Sequence, residues 1–246
     1  MSTVPASHGH SEACCNVPAI VTTGYSAIGG YEEIDGIKTY ATGPSDASKG
    51  IVVIYDIFGY YDQTIQGADI LSASDDHQKY KVFIPDWYPP NTEEKQKKFG
   101  VFIGKNPPSS AATKLPGYIK ALEAKYPSIK SWGALGFCWG GKAVEILTSG
   151  DTNPFSIAGS AHPAMVDSKV AAKIKVPYFL LASGDEPEPD VKEFEKNLTV
   201  PNHVEIFKDQ VHGWMAARAD LSDDHVKEEY TRGYKTVLDF FAKNWS

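Results

Sequence analysis

Gly136-Phe137-Cys138-Trp139-Gly140-Gly141 lies between the apolar run 132–135 and a helix-like run that begins near Lys142. Small residues stand two positions before and two positions after a residue with a nucleophilic side chain. A sharp strand-to-helix turn demands this frame, because its central residue takes a strained backbone and holds its side chain exposed above a sheet. Serine usually fills that centre; here it is Cys138. The stretch predicts a strand, a turn that presents a thiol, and a helix continuing to Ser149.

Working outward, Ile51-Val52-Val53-Ile54-Tyr55 is apolar throughout, as expected of a strand covered on both faces in a parallel sheet. A helix is predicted from Gln63 to His77, and Val82-Phe83-Ile84 is the next strand, closed by Pro85-Asp86. The polar, aromatic, proline-flanked stretch 87–108 reads as a helical excursion beside the sheet. Residues 111–125 predict a helix in which Pro116 is a kink or the true start. Beyond the Cys138 turn, 156–160 and 178–182 predict short strands, 191–198 a helix, 204–207 a strand and 223–243 a long amphipathic helix. Upstream, 31–42 alternates around Asp35-Gly36, a dipeptide that favours a tight hairpin. Strands alternating with helices predict a doubly wound, mainly parallel α/β sheet with helices on both faces. Residues 1–20 are small, polar and aperiodic, so a flexible tail is expected before one domain spanning 21–246.

The composition narrows the function classes. Of 246 residues, 42% are hydrophobic and 22% charged, which is ordinary for a globular protein. A formal net charge of −7 argues against nucleic acid or an anionic membrane as partner, since both require basic patches. Three cysteines, two of them adjacent, make no disulfide framework and favour a reducing compartment. No apolar stretch suits a signal peptide or a membrane span, so a cytoplasmic location is expected, and the sequon Asn197-Leu198-Thr199 reads as chance.

A thiol is mostly protonated near neutral pH, with an unperturbed pKa of about 8.5. Cys138 therefore needs a base, and the base needs a group to orient it. The order nucleophile, acid, histidine belongs to α/β-hydrolase sites. After the 178–182 strand, Ser183-Gly184-Asp185 places Asp185 at a strand's carboxyl end, with Glu186 beside it as the alternative acid. After the 204–207 strand, His212-Gly213 supplies a histidine in a flexible loop. The helix dipole behind the turn favours a thiolate at Cys138. The Trp139 amide would face a developing oxyanion, and the loop Asp56-Ile57-Phe58-Gly59 is the candidate source of a second donor.

Asp56-Ile57-Phe58-Gly59, Pro85-Asp86-Trp87-Tyr88, the Cys138 hexapeptide, Ser183-Gly184-Asp185 and His212-Gly213-Trp214 occur in one order across roughly residues 30 to 243. Together they resemble the dienelactone hydrolase family, and its fungal and eukaryotic members most closely. The resemblance implies an α/β-hydrolase fold without a large cap, no metal or organic cofactor, and a small-molecule lactone or ester as substrate. It implies a Cys138–His212–Asp185 triad, an oxyanion hole from the amides of Ile57 and Trp139, and a monomer or homodimer. Asp56 stands where bacterial members carry a glutamate that accepts the thiol proton. Pro90 and Ala216 occupy the places of two arginines that bind a substrate carboxylate, so Arg218, Lys95, Lys97 or Lys98 would have to replace that charge. Phe58, Tyr60, Tyr61, Trp87, Tyr88, Trp139 and Trp214 imply a pocket for a flatter, more apolar substrate.

Plainer readings stand beside these. Cys138 would be a buried small side chain, His212 a surface histidine, Asp185 a turn residue, Asp56 a cap and Arg218 a solvated charge. Phe240, Phe241 and Trp245 read as packing. Rival functions are a non-hydrolytic tailoring enzyme, isomerase or binder on the same scaffold, and a thiol redox or metal sensor using Cys14, Cys15 and Cys138. The spacing of His8, His10, Cys14 and Cys15 fits no common zinc site.

Overall fold

In the computed structural model, which describes residues 24–73, 79–87 and 106–246, eight strands form one sheet. They are β1 (Gly30–Ile34), β2 (Ile37–Thr42), β3 (Lys49–Ile54), β4 (Tyr80–Pro85), β5 (Ser131–Phe137), β6 (Ile157–Ala161), β7 (Tyr178–Ser183) and β8 (Asn202–Phe207). Across the sheet the order is β1-β2-β4-β3-β5-β6-β7-β8. From β4 to β8 all neighbours are parallel. The predicted hairpin supplies the antiparallel edge: β1 pairs with β2 and β2 with β4. Its turn takes positive φ at both central positions, 52° at Asp35 and 72° at Gly36, as a two-residue hairpin of the twist-compatible kind requires.

The helices are α1 (Asp62–Ala73), α2 (Pro108–Lys125), α3 (Trp139–Thr148), the short α4 (Ser168–Ala171), α5 (Glu188–Asn197) and α6 (Asp224–Asn244). They cover both faces of the sheet, with α2 packed on α3 and α1 meeting α6. That double cover buries the whole of β6 and β7 and explains why they are mostly apolar. In α2 the buried residues Ala111, Leu115, Tyr118, Ile119 and Leu122 recur at helical spacing. Its start is Pro108, where a proline suits a first turn, and Pro116 lies inside the helix. Asp223 caps α6 by accepting hydrogen bonds from the His225 and Val226 amides. The predicted tail with His8, His10, Cys14 and Cys15 lies outside the described residues, as do 74–77 of the first predicted helix and most of 87–108. Among the described residues no helix is long and apolar enough to cross a membrane.

After the edge hairpin the chain passes to the central β3, steps back to β4, then crosses to β5 on the other side of β3 and moves steadily outward to β8. The reversal leaves the carboxyl ends of β3 and β5 side by side, with Ile54 opposite Gly136. Ligands of open α/β sheets bind at such a switch point.

Here the glycine frame finds its physical cause. A Cβ on Gly136 would collide with the backbone of Gly140 and Gly141, and one on Gly140 with the Ile54 carbonyl of β3. The turn is thus folded on itself and pressed against the neighbouring strand, and α3 begins at Trp139 with no linker after Cys138. Gly140→Ala forces two backbone segments apart and is expected to cost about 1–3 kcal/mol of stability, with loss of turnover. Urea unfolding checks this. A variant as stable and active as the parent would show that the turn is not pressed on β3.

Candidate active site

Cys138 sits at φ 51° and ψ −112°, immediately before α3. A non-glycine residue held there stores on the order of 1–3 kcal/mol of strain, which the surroundings must offset. The exit of β6 supplies that restraint. The Cys138 N–H donates to the Ala161 carbonyl at 3.2 Å, and the Ala164 N–H donates to the Cys138 carbonyl at 3.2 Å. The residue is 2% exposed.

His212 follows β8 and is 1% exposed. Gly213 behind it has φ 104°, and a Cβ there would strike the Arg218 side chain. Arg218 is itself buried and donates from Nη1 to the His212 carbonyl at 2.9 Å. The turn holding the histidine is therefore locked from behind by a guanidinium.

The acid on the imidazole is Glu186. Its Oε1 lies 2.5 Å from His212 Nδ1, and its Oε2 accepts the Ser183 N–H. Glu186 is buried. Asp185, expected on sequence as the orienting acid, is exposed, and its Oδ2 accepts instead from the His212 backbone N–H at 2.7 Å. The reason is local. The loop after β7 is pinned to the histidine loop, the Gly184 N–H donating to the Gln210 carbonyl at 2.9 Å, and a Cβ on Gly184 would strike the Lys208 carbonyl. With the backbone pinned at 184, the next two side chains diverge, 185 to the neighbouring backbone and 186 inward to the ring.

Asp56 lies in the loop after β3, 2% exposed. Its Oδ1 accepts the Phe58 N–H at 2.8 Å, and its Oδ2 has no hydrogen-bond partner among the described residues. Burial pushes its carboxyl above the usual carboxylate range, while the Phe58 amide, the charges of Arg218 and His212 and the Ala217 amide pull the other way. The Arg218 guanidinium lies over the Phe58 ring, 5.1 Å from its centroid. Arg218 is thus built into the site rather than solvated. Ala216, in the place of a family arginine, is fully buried.

The aromatic residues divide. Phe58 stands at the site under Arg218, and Tyr61 packs edge-on against it. The Trp139 indole donates to the Asn106 carbonyl at 3.0 Å. Others expected in a pocket belong to the core. Trp214 is fully buried, its ring tilted 31° to that of Phe207 at 4.2 Å and packed against Gly233 of α6. Trp87 packs on Tyr118 of α2, and the Tyr60 hydroxyl is spent on the Ile84 carbonyl. Tyr88, Pro90, Lys95, Lys97 and Lys98 lie outside the described residues. A surface cavity of about 420 Å³ opens beside Glu186, between Lys142, Met165, Val166 and Asp190, and none of the predicted aromatics lines it.

His162 is a further buried residue of this site, without a motif of its own in the sequence. It follows β6 directly with φ 39°, is fully buried, and its ring packs 5.1 Å from that of His212. A histidine at the carboxyl end of a buried parallel strand, beside the strand that leads to Cys138, was the available signal.

With this geometry in view, the comparison with known proteins is direct. Residues 37–245 match the sequence profile of the Dienelactone hydrolase family. The chain belongs to that family. Among its relatives, an uncharacterized AIM2 family protein of Schizosaccharomyces pombe is 34% identical over 226 residues, covering 85% of this chain and 88% of that one. The human carboxymethylenebutenolidase homolog is 27% identical over 245 residues, covering 89% and 92%. The crystal structure of dienelactone hydrolase from Anabaena variabilis superimposes with a TM-score of 0.64 at 14% identity, covering 89% of this chain and 98% of that one, which shows a shared fold. As a dienelactone hydrolase family member, the chain is a hydrolase of the lactone and ester class.

Proposed function

We propose that this enzyme cleaves a small-molecule lactone or activated ester through an acyl-enzyme on Cys138, with His212 as the base and Glu186 as the acid that orients it. The contact that carries the reading is Glu186 Oε1 at 2.5 Å from His212 Nδ1, both groups buried. A carboxylate on Nδ1 fixes the ring's orientation and makes Nε2 the nitrogen that takes the thiol proton. It also balances the positive charge that forms when the proton moves. His212 Nε2 takes the proton from Cys138, and the thiolate sulfur attacks the carbonyl carbon. His212 then returns the proton to the departing oxygen. Water, deprotonated by the same nitrogen, clears the thioester.

The oxyanion in this scheme rests on the amides of Ile57 and Trp139. Their support is the register that sets the carboxyl ends of β3 and β5 side by side. Asp56 is the candidate to hold the thiol proton before substrate arrives. An open, buried Oδ2 on a carboxyl raised by burial favours it, although its side chain is one methylene shorter than glutamate. The crowding of Arg218 and Phe58 around this carboxyl supports a substrate with a flat or apolar body next to one polar group.

The test is to catch the intermediate. Mixing the enzyme with p-nitrophenyl acetate, quenching in acid and digesting should give an acetylated peptide containing Cys138, appearing in a burst and decaying as turnover proceeds. Release of nitrophenol without any acylated Cys138 peptide would overturn the covalent scheme. Acylation without decay would make the protein a binder rather than a hydrolase.

A further inference from the structure

We infer that His162 is a positioning residue for His212: its neutral ring forms the wall against which the base is held and favours the base's protonated form. This rests on the reading of His212 as the base. The His162 ring is stacked parallel to Phe137, the residue before the nucleophile, with centroids 5.4 Å apart and planes 11° apart. Its other neighbour is His212, at 5.1 Å and 72°. One side chain therefore spans from the nucleophile's strand to the base. Its backbone belongs to the same support, because Ala161 and Ala164 hold the Cys138 peptide from both sides and the His162 N–H donates to the Leu181 carbonyl of β7 at 2.7 Å.

Packing alone does not explain a histidine here. The ring is fully buried, and neither nitrogen has a hydrogen-bond partner among the described residues. Burying bare polar atoms costs free energy, and a phenylalanine would fill the same stack without that cost. The backbone adds to it, since φ 39° is unfavourable for any residue with a Cβ. Strain and unsatisfied polarity concentrated against a catalytic ring point to function. What the imidazole offers and a phenyl ring does not is a strong dipole and a lone pair beside a ring that becomes a cation during turnover.

That role requires His162 to stay uncharged, and its surroundings enforce this. Burial, then the positive charges of His212 and Arg218, hold it well below the usual histidine range against a smaller pull from its own backbone. Around His212 the charged and titratable groups are Glu186 on Nδ1, Asp185 on the backbone N–H, and Asp56 and Arg218 nearby. The two imidazoles thus differ in their partners: His212 has the Glu186 carboxylate on Nδ1, and His162 has none among the described residues.

The experiment is ring-nitrogen NMR of the full-length Cys138→Ser protein, with and without His162→Phe, between pH 5 and 9. With His162 present, its nitrogens should keep the neutral pattern throughout while His212 titrates. His162→Phe should move the His212 midpoint to lower pH by about half a unit or more, since a stabiliser of the cation is lost. In the otherwise unaltered enzyme it should lower kcat roughly three- to tenfold with KM little changed. An unmoved midpoint, or a His162 that gains a proton in this range, would overturn the inference. If His162→Phe does not fold, the charge state of His162 in the parent decides alone. The NMR readout does not depend on Cys138 being the nucleophile, so failure of the covalent scheme would be seen separately, as turnover surviving in Cys138→Ala.

Discussion

Cys138→Ala is expected to lower kcat/KM for an activated ester by about 10⁴-fold or more while leaving the protein folded. The size follows from what is removed. Without the sulfur there is no acyl-enzyme, and what remains is the modest acceleration that oxyanion donors and binding give to attack by water. The fold should survive because the turn is not held by the thiol. It is held by the Gly136 and Gly140 contacts and by the two hydrogen bonds from the β6 exit. Alanine keeps a Cβ at φ 51°, so the strain is unchanged and the loss in stability is limited to one small buried atom group. Circular dichroism and a thermal melt, read beside the esterase assay, separate the two effects. Wild-type turnover in the folded variant would remove Cys138 from the chemistry altogether.

Why the Cys138 turn was legible from sequence and its surroundings only in part has a physical explanation. Gly136 and Gly140 are required by backbone collisions a few residues away, so the local sequence carries the whole signal. The same holds for the Asp35-Gly36 hairpin, whose two positive φ angles restrict the residue types. The continuous apolar runs of β3 and β7 follow from burial on both faces. Strand order is different. That β2 joins β4 rather than β3 depends on which edges meet after collapse, and apolar spacing does not encode it. The aromatic residues misled for a related reason. Trp214 was expected in a pocket, but its ring fills the space left by Gly233, well away in sequence. A glycine in the middle of an otherwise good helix was the sign that something large packs there. His162 escaped notice because its meaning lies in two ring contacts, with Phe137 and His212, that exist only once the parallel strands are side by side.

The orienting acid is the sharpest case, because Asp185 and Glu186 are neighbours and both are carboxylates. Glu186→Gln is expected to reduce kcat on the order of 10³–10⁴-fold, whereas Asp185→Asn should cost less than about tenfold. Glu186 is buried with both oxygens engaged, one on His212 Nδ1 and one on the Ser183 N–H. A glutamine there is nearly isosteric, so the loop stays in place. It brings no charge to balance the imidazolium, however, and its amide can present N–H where the ring needs an acceptor, selecting the wrong tautomer. The defect should therefore fall on kcat, with KM little changed, because Glu186 acts through the His212 ring it holds. Asp185 is exposed and serves the His212 backbone N–H, a bond that asparagine can still accept with its amide oxygen. A small loss there would reflect a looser histidine loop. Measuring both variants on one activated ester decides the matter. A crippled Asp185→Asn beside an active Glu186→Gln would return the orienting role to Asp185 and require the loop after β7 to turn its side chains the other way when substrate binds.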